Sequence, residues 1–338
     1  MNSRKPHVLV TGGAGYIGSV LCGQLLGRGF KVTVLDTLLF GGDPLRGYAA
    51  HPDFAFQRAD VRDKDAMASY FAGVDHVVHL AAIVGYPACA AAGREDSFNV
   101  NLEGTRNVFT LAEERGVRRF VFASTYSVYG VSCDGQPVAE ESPLHPQSLY
   151  ARTKIAAENY LIEQAKTSRC APVVLRFATL FGPSLRTRFD LIINQFVLEA
   201  VRKGRLVIYQ KDYSRSFVHI ADIVRAIELA LEAGLTIIRG QTFNVGSNNG
   251  NYSKEELVAF IRKYIPGLIV EYKNLNYPED MRDIRVSFDR IERRLGFKAK
   301  VSIEDGIREM AEAIRSGKIT DKAVANRPDL SGEGKAQT

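Results

Sequence analysis

An apolar strand that runs straight into glycines spaced three residues apart constrains this chain more than any other feature. The segment reads Val8-Leu9-Val10-Thr11-Gly12-Gly13-Ala14-Gly15-Tyr16-Ile17-Gly18. Gly12 permits the tight turn out of the strand. Gly15 has no side chain, so a pyrophosphate can approach the backbone and the start of the following helix. Gly18 lets that helix pack closely on the sheet. Gly12, Gly15, Tyr16, Ile17 and Gly18 are therefore the candidate cofactor-binding residues of the turn. The context completes the pattern: a helix from Ser19 to Leu26, a second strand from Lys31 to Leu35, and Asp36 at its end. An acid there accepts hydrogen bonds from the adenosine ribose hydroxyls, and no arginine follows it directly to meet a 2′-phosphate. The expected cofactor is NAD rather than NADP. A glycine triplet alone also suits a plain glycine-rich turn; the full strand, turn, helix, strand and acid succession favours the dinucleotide.

Up to about Ala178, apolar runs alternate with helical periods. Strands are expected at His7–Val10, Lys31–Leu35, Phe54–Arg58, His76–Leu80, Arg119–Ala123 and Pro172–Phe177. Helices are expected at Ser19–Leu26, Lys64–Phe71, Asn99–Arg115 and Leu149–Thr167. Such alternation implies an α/β fold, a doubly wound parallel Rossmann sheet with helices on both faces. After Gly182-Pro183 the pattern turns irregular, which suggests a smaller C-terminal α/β substrate-binding lobe. The expected division is a dinucleotide-binding domain over 1–182, a mainly substrate-binding lobe over 183–320, and a flexible tail over 321–338. Segments near 217–246 should thread back onto the first domain.

Composition excludes several classes. No apolar run is long enough to span a bilayer, and the polar start leading into the first strand leaves no room for a signal peptide. The net charge of +6 is mild and scattered, with no basic stripe, so nucleic-acid binding is not expected. Cys22, Cys89, Cys133 and Cys170 show no paired spacing, so free thiols, a cytoplasmic location and no metal site are expected.

Ser148-Leu149-Tyr150-Ala151-Arg152-Thr153-Lys154 opens a predicted helix and puts Tyr150 and Lys154 on one face. A tyrosine hydroxyl is a poor base near neutral pH, but a neighbouring ammonium and a nicotinium ring favour its phenolate. Such a phenolate can take the proton of a sugar hydroxyl as hydride leaves the same carbon. Phe122-Ala123-Ser124-Thr125 ends at the carboxyl edge of the sheet, where ligands of open parallel sheets sit. Thr125 can donate a hydrogen bond to the reacting oxygen there. A Tyr and a Lys four apart usually mark a solvated helix face; beside a glycine cradle and a hydroxyl-bearing strand end they read as a catalytic pair.

With these motifs in place, the chain resembles an extended short-chain dehydrogenase/reductase of the NAD-dependent nucleotide-sugar epimerase/dehydratase family, over about residues 6 to 315. The segments that carry the resemblance are Thr11 to Gly18, Asp60-Val61, His79-Leu80-Ala81-Ala82, Asn101-Leu102-Glu103-Gly104-Thr105, the Thr125 segment and the Tyr150/Lys154 pair. It implies that Asp60 and Val61 flank the adenine and that Leu80, Ala81 and Ala82 line the pyrophosphate and ribose. It also implies that Lys154 holds the nicotinamide ribose and that Asn101 is a structural and cofactor-side residue. The alternative for Ala81 and Ala82 is a close-packed strand end.

In dehydratases of the family, an Asp-Glu pair or a Glu follows the catalytic threonine; this chain has Tyr126 and Ser127 there. The difference argues against dehydratase and decarboxylase chemistry. A 3,5-epimerase would carry a cysteine in place of Ser127. Arg215 and Arg282 match arginines that grip the substrate diphosphate, and the alternative for each is a surface ion pair with Asp212 or Asp280. Thr179 stands where UDP-galactose 4-epimerases carry an asparagine, and Val84 where they carry a lysine. Phe189, Asn194 and Gln195 border the sugar or nucleotide site or merely start a helix, and His219 is read as structural beside the Asp222 helix cap.

The function expected is a nucleotide-sugar 4-epimerase acting on a nucleotide-diphosphate sugar by transient oxidation at C4. A net ketosugar reductase or sugar dehydrogenase is the alternative, and a catalytically silent NAD sensor a third. The resemblance also implies a homodimer, with Val108, Leu111, Ala156 and Tyr160 at the interface or else in the core.

Overall fold

The computed structural model describes residues 4–130, 136–273 and 284–319. The strands are β1 (His7–Thr11), β2 (Lys31–Asp36), β3 (Phe54–Arg58), β4 (His76–His79), β5 (Arg119–Thr125), β6 (Ala171–Phe177), β7 (Thr179–Phe181), β8 (Arg205–Tyr209), β9 (Ser214–His219), β10 (Gln241–Val245), β11 (Asn251–Ser253) and β12 (Ile269–Lys273). A seven-stranded sheet has the order β10-β6-β5-β4-β1-β2-β3, and its pairings are all parallel. The doubly wound parallel sheet expected from the alternating pattern is the observed fold.

Apolar runs form these strands because both sheet faces are covered. Every residue of β1 and of β6 is buried, as parallel sheets between helices require. The helices are α1 (Tyr16–Gly27), α2 (Lys64–Met67), α3 (Tyr86–Phe98), α4 (Gly104–Glu114), α5 (Leu149–Gln164), α6 (Ile192–Lys203), α7 (Ile220–Glu232), α8 (Leu235–Ile238), α9 (Lys254–Tyr264), α10 (Asp289–Leu295) and α11 (Ile303–Arg315). On one face Leu21 and Leu25 of α1 and Ile223 and Ile227 of α7 join a core with Val10 and Val121. On the other, Val108 and Leu111 of α4 and Ala157 and Leu161 of α5 pack with Leu9 and Phe122. Val108 and Leu111 are thus core residues of this chain, which removes them as interface positions. Ala156 and Tyr160 keep partial exposure.

A separate core is built from Ile193 and Val197 of α6, Leu206 and Ile208 of β8, Leu257 and Ile261 of α9, and Ile307 and Met310 of α11. Two small sheets accompany it, β11-β9-β7 and β12-β8. After β9 and α7 the chain returns as β10, which pairs with β6 at the edge of the large sheet.

The strand order reverses where β1 pairs with β2 on one side and β4 on the other. Ligands of open parallel sheets bind outside the carboxyl ends at such a reversal. The glycine turn follows β1 there and Leu80-Ala81-Ala82 follows β4. Among the described residues, no helix is long and apolar enough to cross a membrane. No group of His, Cys, Asp and Glu among them is placed to hold a metal ion. Cys133, Arg282 and the 321–338 tail lie outside the described residues.

Candidate active site

The glycine turn is shaped by contacts that admit no side chain. Gly12 adopts φ +74°, a conformation that glycine takes at no cost, and a Cβ there would stand 2.7 Å from the Ala81 nitrogen. A Cβ on Gly18 would fall on the Gly12 carbonyl oxygen and the Gly13 Cα, so α1 could not lie where it does. A Cβ on Gly15 would meet only the Gly12 oxygen, at 3.1 Å. Gly15 is the N-cap of α1 and no side chain caps the helix. Its first N–H groups and the positive end of its dipole are therefore available to an anion.

Asp36 closes the adjoining cleft, which Ala14, Gly15, Phe40 and Gly41 also line. Its two carboxylate oxygens accept from the backbone N–H of Ala14 (3.0 Å) and of Leu38 (2.8 Å). Burial raises its pKa, and those two bonds and the Arg186 charge oppose the rise. The Arg186 guanidinium lies 3.8 Å over the Phe40 ring; burial and the neighbouring Arg188 bring its pKa down to about 10. An uncapped helix start, a turn without room for side chains and an acid at the end of β2 fit a dinucleotide with free ribose hydroxyls. Arg186 is a charged neighbour of this cleft that sequence reasoning missed, since it arrives from the loop after β7.

Of the other cofactor-side candidates, Asp60 forks onto Arg62, with Arg62 Nη2 at 2.7 Å. Burial works against its ionisation, but the Arg62 bonds outweigh it and hold the carboxyl below its ordinary range. Val61 is buried in the core, where its side chain leaves no space for a Cβ on Gly104. Leu80 and Ala81 donate backbone N–H groups to the Thr11 carbonyl (3.0 Å) and hydroxyl (3.3 Å). Ala82 is half-buried beside them. Tyr16 donates to the Gly182 carbonyl at 2.6 Å, tying α1 to the loop after β7, and Ile17 packs against the core.

Thr125 ends β5 and is nearly buried. Its hydroxyl accepts from the Ser127 N–H and donates to the Ser127 hydroxyl, both at 3.1 Å. Helix α5 packs across this strand end, started by Ser148, whose hydroxyl accepts from the Ala151 N–H at 3.2 Å. Tyr150 keeps an exposed edge. Its pKa is pushed up by burial of the phenol, while the Arg188 guanidinium pulls it down and Cys89 adds to the rise. Lys154 is 3% exposed, with its ammonium 4.1 Å from the Phe122 ring centroid. Burial brings its pKa down to about 7, and Glu158 and Cys89 oppose the fall.

Two buried polar groups hold this arrangement. His79 is kept neutral, its pKa pushed down to about 3 by burial and the Lys154 charge. Its ring nitrogens bridge the Thr11 hydroxyl (2.7 Å) and the Thr105 hydroxyl (3.0 Å). Asn101 lies in a π-helical turn, Asn99–Glu103, of the kind that often marks a site. Its amide accepts from the Ile83 N–H (2.8 Å), donates to the Ile83 carbonyl (3.0 Å) and donates to Thr153 (2.9 Å). It thereby clips the loop after β4 to α5.

On the other side, the Thr179 hydroxyl lies 2.8 Å from the Tyr126 hydroxyl. Arg215 is buried in β9 rather than set on the surface. Arg188 reaches Gly85, and its guanidinium forks onto Asp190 at 3.1 and 2.6 Å. No sequence pattern marks it beyond a position shortly after Gly182-Pro183. Phe189 is buried, and Gln195 is exposed on α6. Asn194 is a brace: it accepts from the Gly182 N–H (3.0 Å) and donates to the Arg188 carbonyl (3.0 Å) and the Tyr16 hydroxyl (3.2 Å). His219 caps α7 through the Ala221 N–H at 3.3 Å. Asp222 binds the Lys300 and Val301 N–H groups instead of capping.

Residues 8–246 match the family model described as NAD dependent epimerase/dehydratase family. A dTDP-glucose 4,6-dehydratase of Streptomyces griseus is 31% identical over 312 residues, covering 89% of this chain and 92% of that protein. A UDP-glucose 4-epimerase of Bacillus subtilis is 30% identical over 321 residues, covering 88% and 94%. The crystal structure of DesIV, a dTDP-glucose 4,6-dehydratase from Streptomyces venezuelae with NAD and TYD bound, is similar with TM-score 0.81 and 30% identity, over 92% of this chain and 98% of that one.

Proposed function

The chain belongs to the NAD-dependent epimerase/dehydratase family, and from that premise we propose that it is a nucleotide-sugar 4-epimerase that retains its NAD. The wider class, an NAD-dependent enzyme that modifies nucleotide sugars, is common to its relatives. The narrower reading rests on one observation. The two residues after Thr125 carry no carboxylate: the Tyr126 hydroxyl is engaged with Thr179 and the Ser127 hydroxyl with Thr125. Elimination of water needs a further acid and base at the sugar; transfer at a single carbon does not.

When bound, NAD would supply a reversible hydride acceptor. Tyr150 takes the C4 hydroxyl proton, its pKa pulled down by Arg188, with the cationic Lys154 one turn along α5. Thr125 turns its hydroxyl from Ser127 to the reacting oxygen and steadies it. After the sugar presents its other face, Tyr150 returns the proton to the same oxygen. Gly12, Gly15 and Gly18 would hold the pyrophosphate, Asp36 the adenosine ribose, and Lys154 the nicotinamide ribose. Thr179 of β7, with Arg215 and Arg282 from the lobe over 183–320, is assigned to the nucleotide diphosphate. A cytoplasmic homodimer completes the proposal; the described cysteines Cys22, Cys89 and Cys170 are free thiols, as a reducing compartment requires.

The test is a panel of UDP- and dTDP-hexoses incubated with the purified protein and no added cofactor, read by mass spectrometry and NMR. Inversion at C4 without change of mass supports the reading. Loss of water or of carbon dioxide, or a strict need for added reduced cofactor, refutes it.

A further inference from the structure

Tyr150, Lys154 and Glu158 stand at i, i+4 and i+8 on α5 and so share one face. The Glu158 carboxylate is 1% exposed. Arg176 of β6 forks onto it, with Nε 3.1 Å from both oxygens and Nη2 at 2.6 Å. Ser124, the residue before Thr125 and the register partner of Arg176, donates to the same carboxylate. The network continues outward. Arg176 donates to the Tyr129 hydroxyl at 2.9 Å and to the Glu140 carbonyl at 3.3 Å. Tyr129 donates to Asn244 of β10 at 2.7 Å.

A buried ion pair adds little stability over a well-packed apolar pair, so its value here must lie elsewhere. The groups that face Lys154 are Tyr150 and Glu158 on its own helix, Cys89 of α3, neutral His79 of β4 and the Phe122 ring of β5; Arg188 and Cys89 also act on Tyr150. Glu158 is the carboxylate among them. It lies about 6 Å along the helix from Lys154 and about 12 Å from Tyr150.

We propose that Glu158, clamped by Arg176 and Ser124, is a positioning residue: it favours a proton on Lys154 over one on Tyr150, one helical turn away, and through Ser124 it locks the Thr125 strand end to α5. The inference deepens the reading of Tyr150 and Lys154 as the acid–base pair and rests on it. The same charge that attracts the ammonium repels the phenolate, but from twice the distance. At an effective dielectric of about 20, the difference favours ammonium with phenolate over the neutral pair by about tenfold.

The experiment uses the full chain loaded with NAD and reads tyrosinate absorbance against pH, with Tyr150→Phe subtracted to isolate Tyr150. In Glu158→Gln the Tyr150 tyrosinate-to-phenol ratio at neutral pH should fall about tenfold, with NAD content unchanged. Glu158→Gln/Arg176→Met removes the whole pair and guards against an unfolded single variant; it should show a fall of the same sign. A wild-type ratio in whichever of these variants folds overturns the inference while leaving Tyr150 as the base. No tyrosinate signal lost between wild type and Tyr150→Phe below the ordinary tyrosine range overturns the acid–base reading itself, and the inference with it.

Discussion

Replacing Lys154 by methionine should abolish turnover and yet stabilise the cofactor-free protein at neutral pH. The ammonium is buried against the Phe122 ring, and its pKa falls from 10.5 to about 7. At ~1.4 kcal/mol per unit, that fall is an upper figure of about 5 kcal/mol held against the folded state. Water penetration and relaxation reduce such figures, and about 2 kcal/mol is the working value. The sign follows from linkage. Below pH ~7 both folded and unfolded states hold the proton and the penalty is complete. Between pH ~7 and ~10 the unfolded chain binds more protons, so wild-type stability rises with pH; above that range the penalty is gone. The stability gained by Lys154→Met should therefore be largest at or below pH ~7 and vanish by pH ~10. With an unfolding entropy of about 0.7 kcal/mol/K for a chain of this length, ~2 kcal/mol is a rise of about 3 °C in Tm. Thermal and urea denaturation of both proteins, stripped of cofactor and compared across this range, measure it. The difference between the two curves isolates Lys154 from the other titrating groups. A variant less stable than wild type at pH ~7, or a difference that does not shrink with pH, would refute the reasoning.

Tyr150→Phe should lose about 10²- to 10⁴-fold in turnover, the usual contribution of a positioned acid–base group, while NAD content after purification is unchanged; full turnover would remove Tyr150 from the chemistry. Gly18→Ala drives a Cβ into the Gly12 carbonyl and the Gly13 Cα. It should cost about 1–3 kcal/mol through displacement of α1 and weaken NAD binding at least about tenfold by fluorescence titration. Arg176→Met leaves the Glu158 charge buried without its guanidinium and should cost about 3–5 kcal/mol, a fall of about 4–7 °C in Tm by circular dichroism. Adding Glu158→Gln should restore most of it.

The large sheet was legible in the sequence because inner strands such as β1 and β6 are buried on both faces and read as largely apolar runs, while β3 at the edge is mostly exposed. Expected and observed limits agree within two residues, as for Arg119–Ala123 against Arg119–Thr125. The rest of the chain hid its elements for definable reasons. Strand β9 reads Ser-Arg-Ser-Phe-Val-His and is buried throughout, so neither alternation nor an apolar run announces it. Helix α3 begins after Gly85 at φ +95° and is interrupted by Gly93 at φ +81°, and its alanines carry no helical stripe. The turn, the acid and the Tyr150/Lys154 pair could be placed from sequence because each depends on local spacing. Arg186, Arg188 and the Glu158–Arg176 pair could not, because the loop after β7 and the β5–β6 register bring them in from a distance. Glu158 did leave a trace: it stands one helical turn beyond Lys154, the spacing that joined Lys154 to Tyr150.

The most direct measurement follows a deuterium at C4 of the substrate hexose through one turnover of the purified, NAD-loaded protein. Tyr150 and Thr125 act on one hydroxyl, so the account predicts an inverted C4 that still carries the label, in a product of unchanged mass formed without added cofactor. A label delivered to another carbon, lost to solvent, or found in a dehydrated or decarboxylated sugar would contradict it.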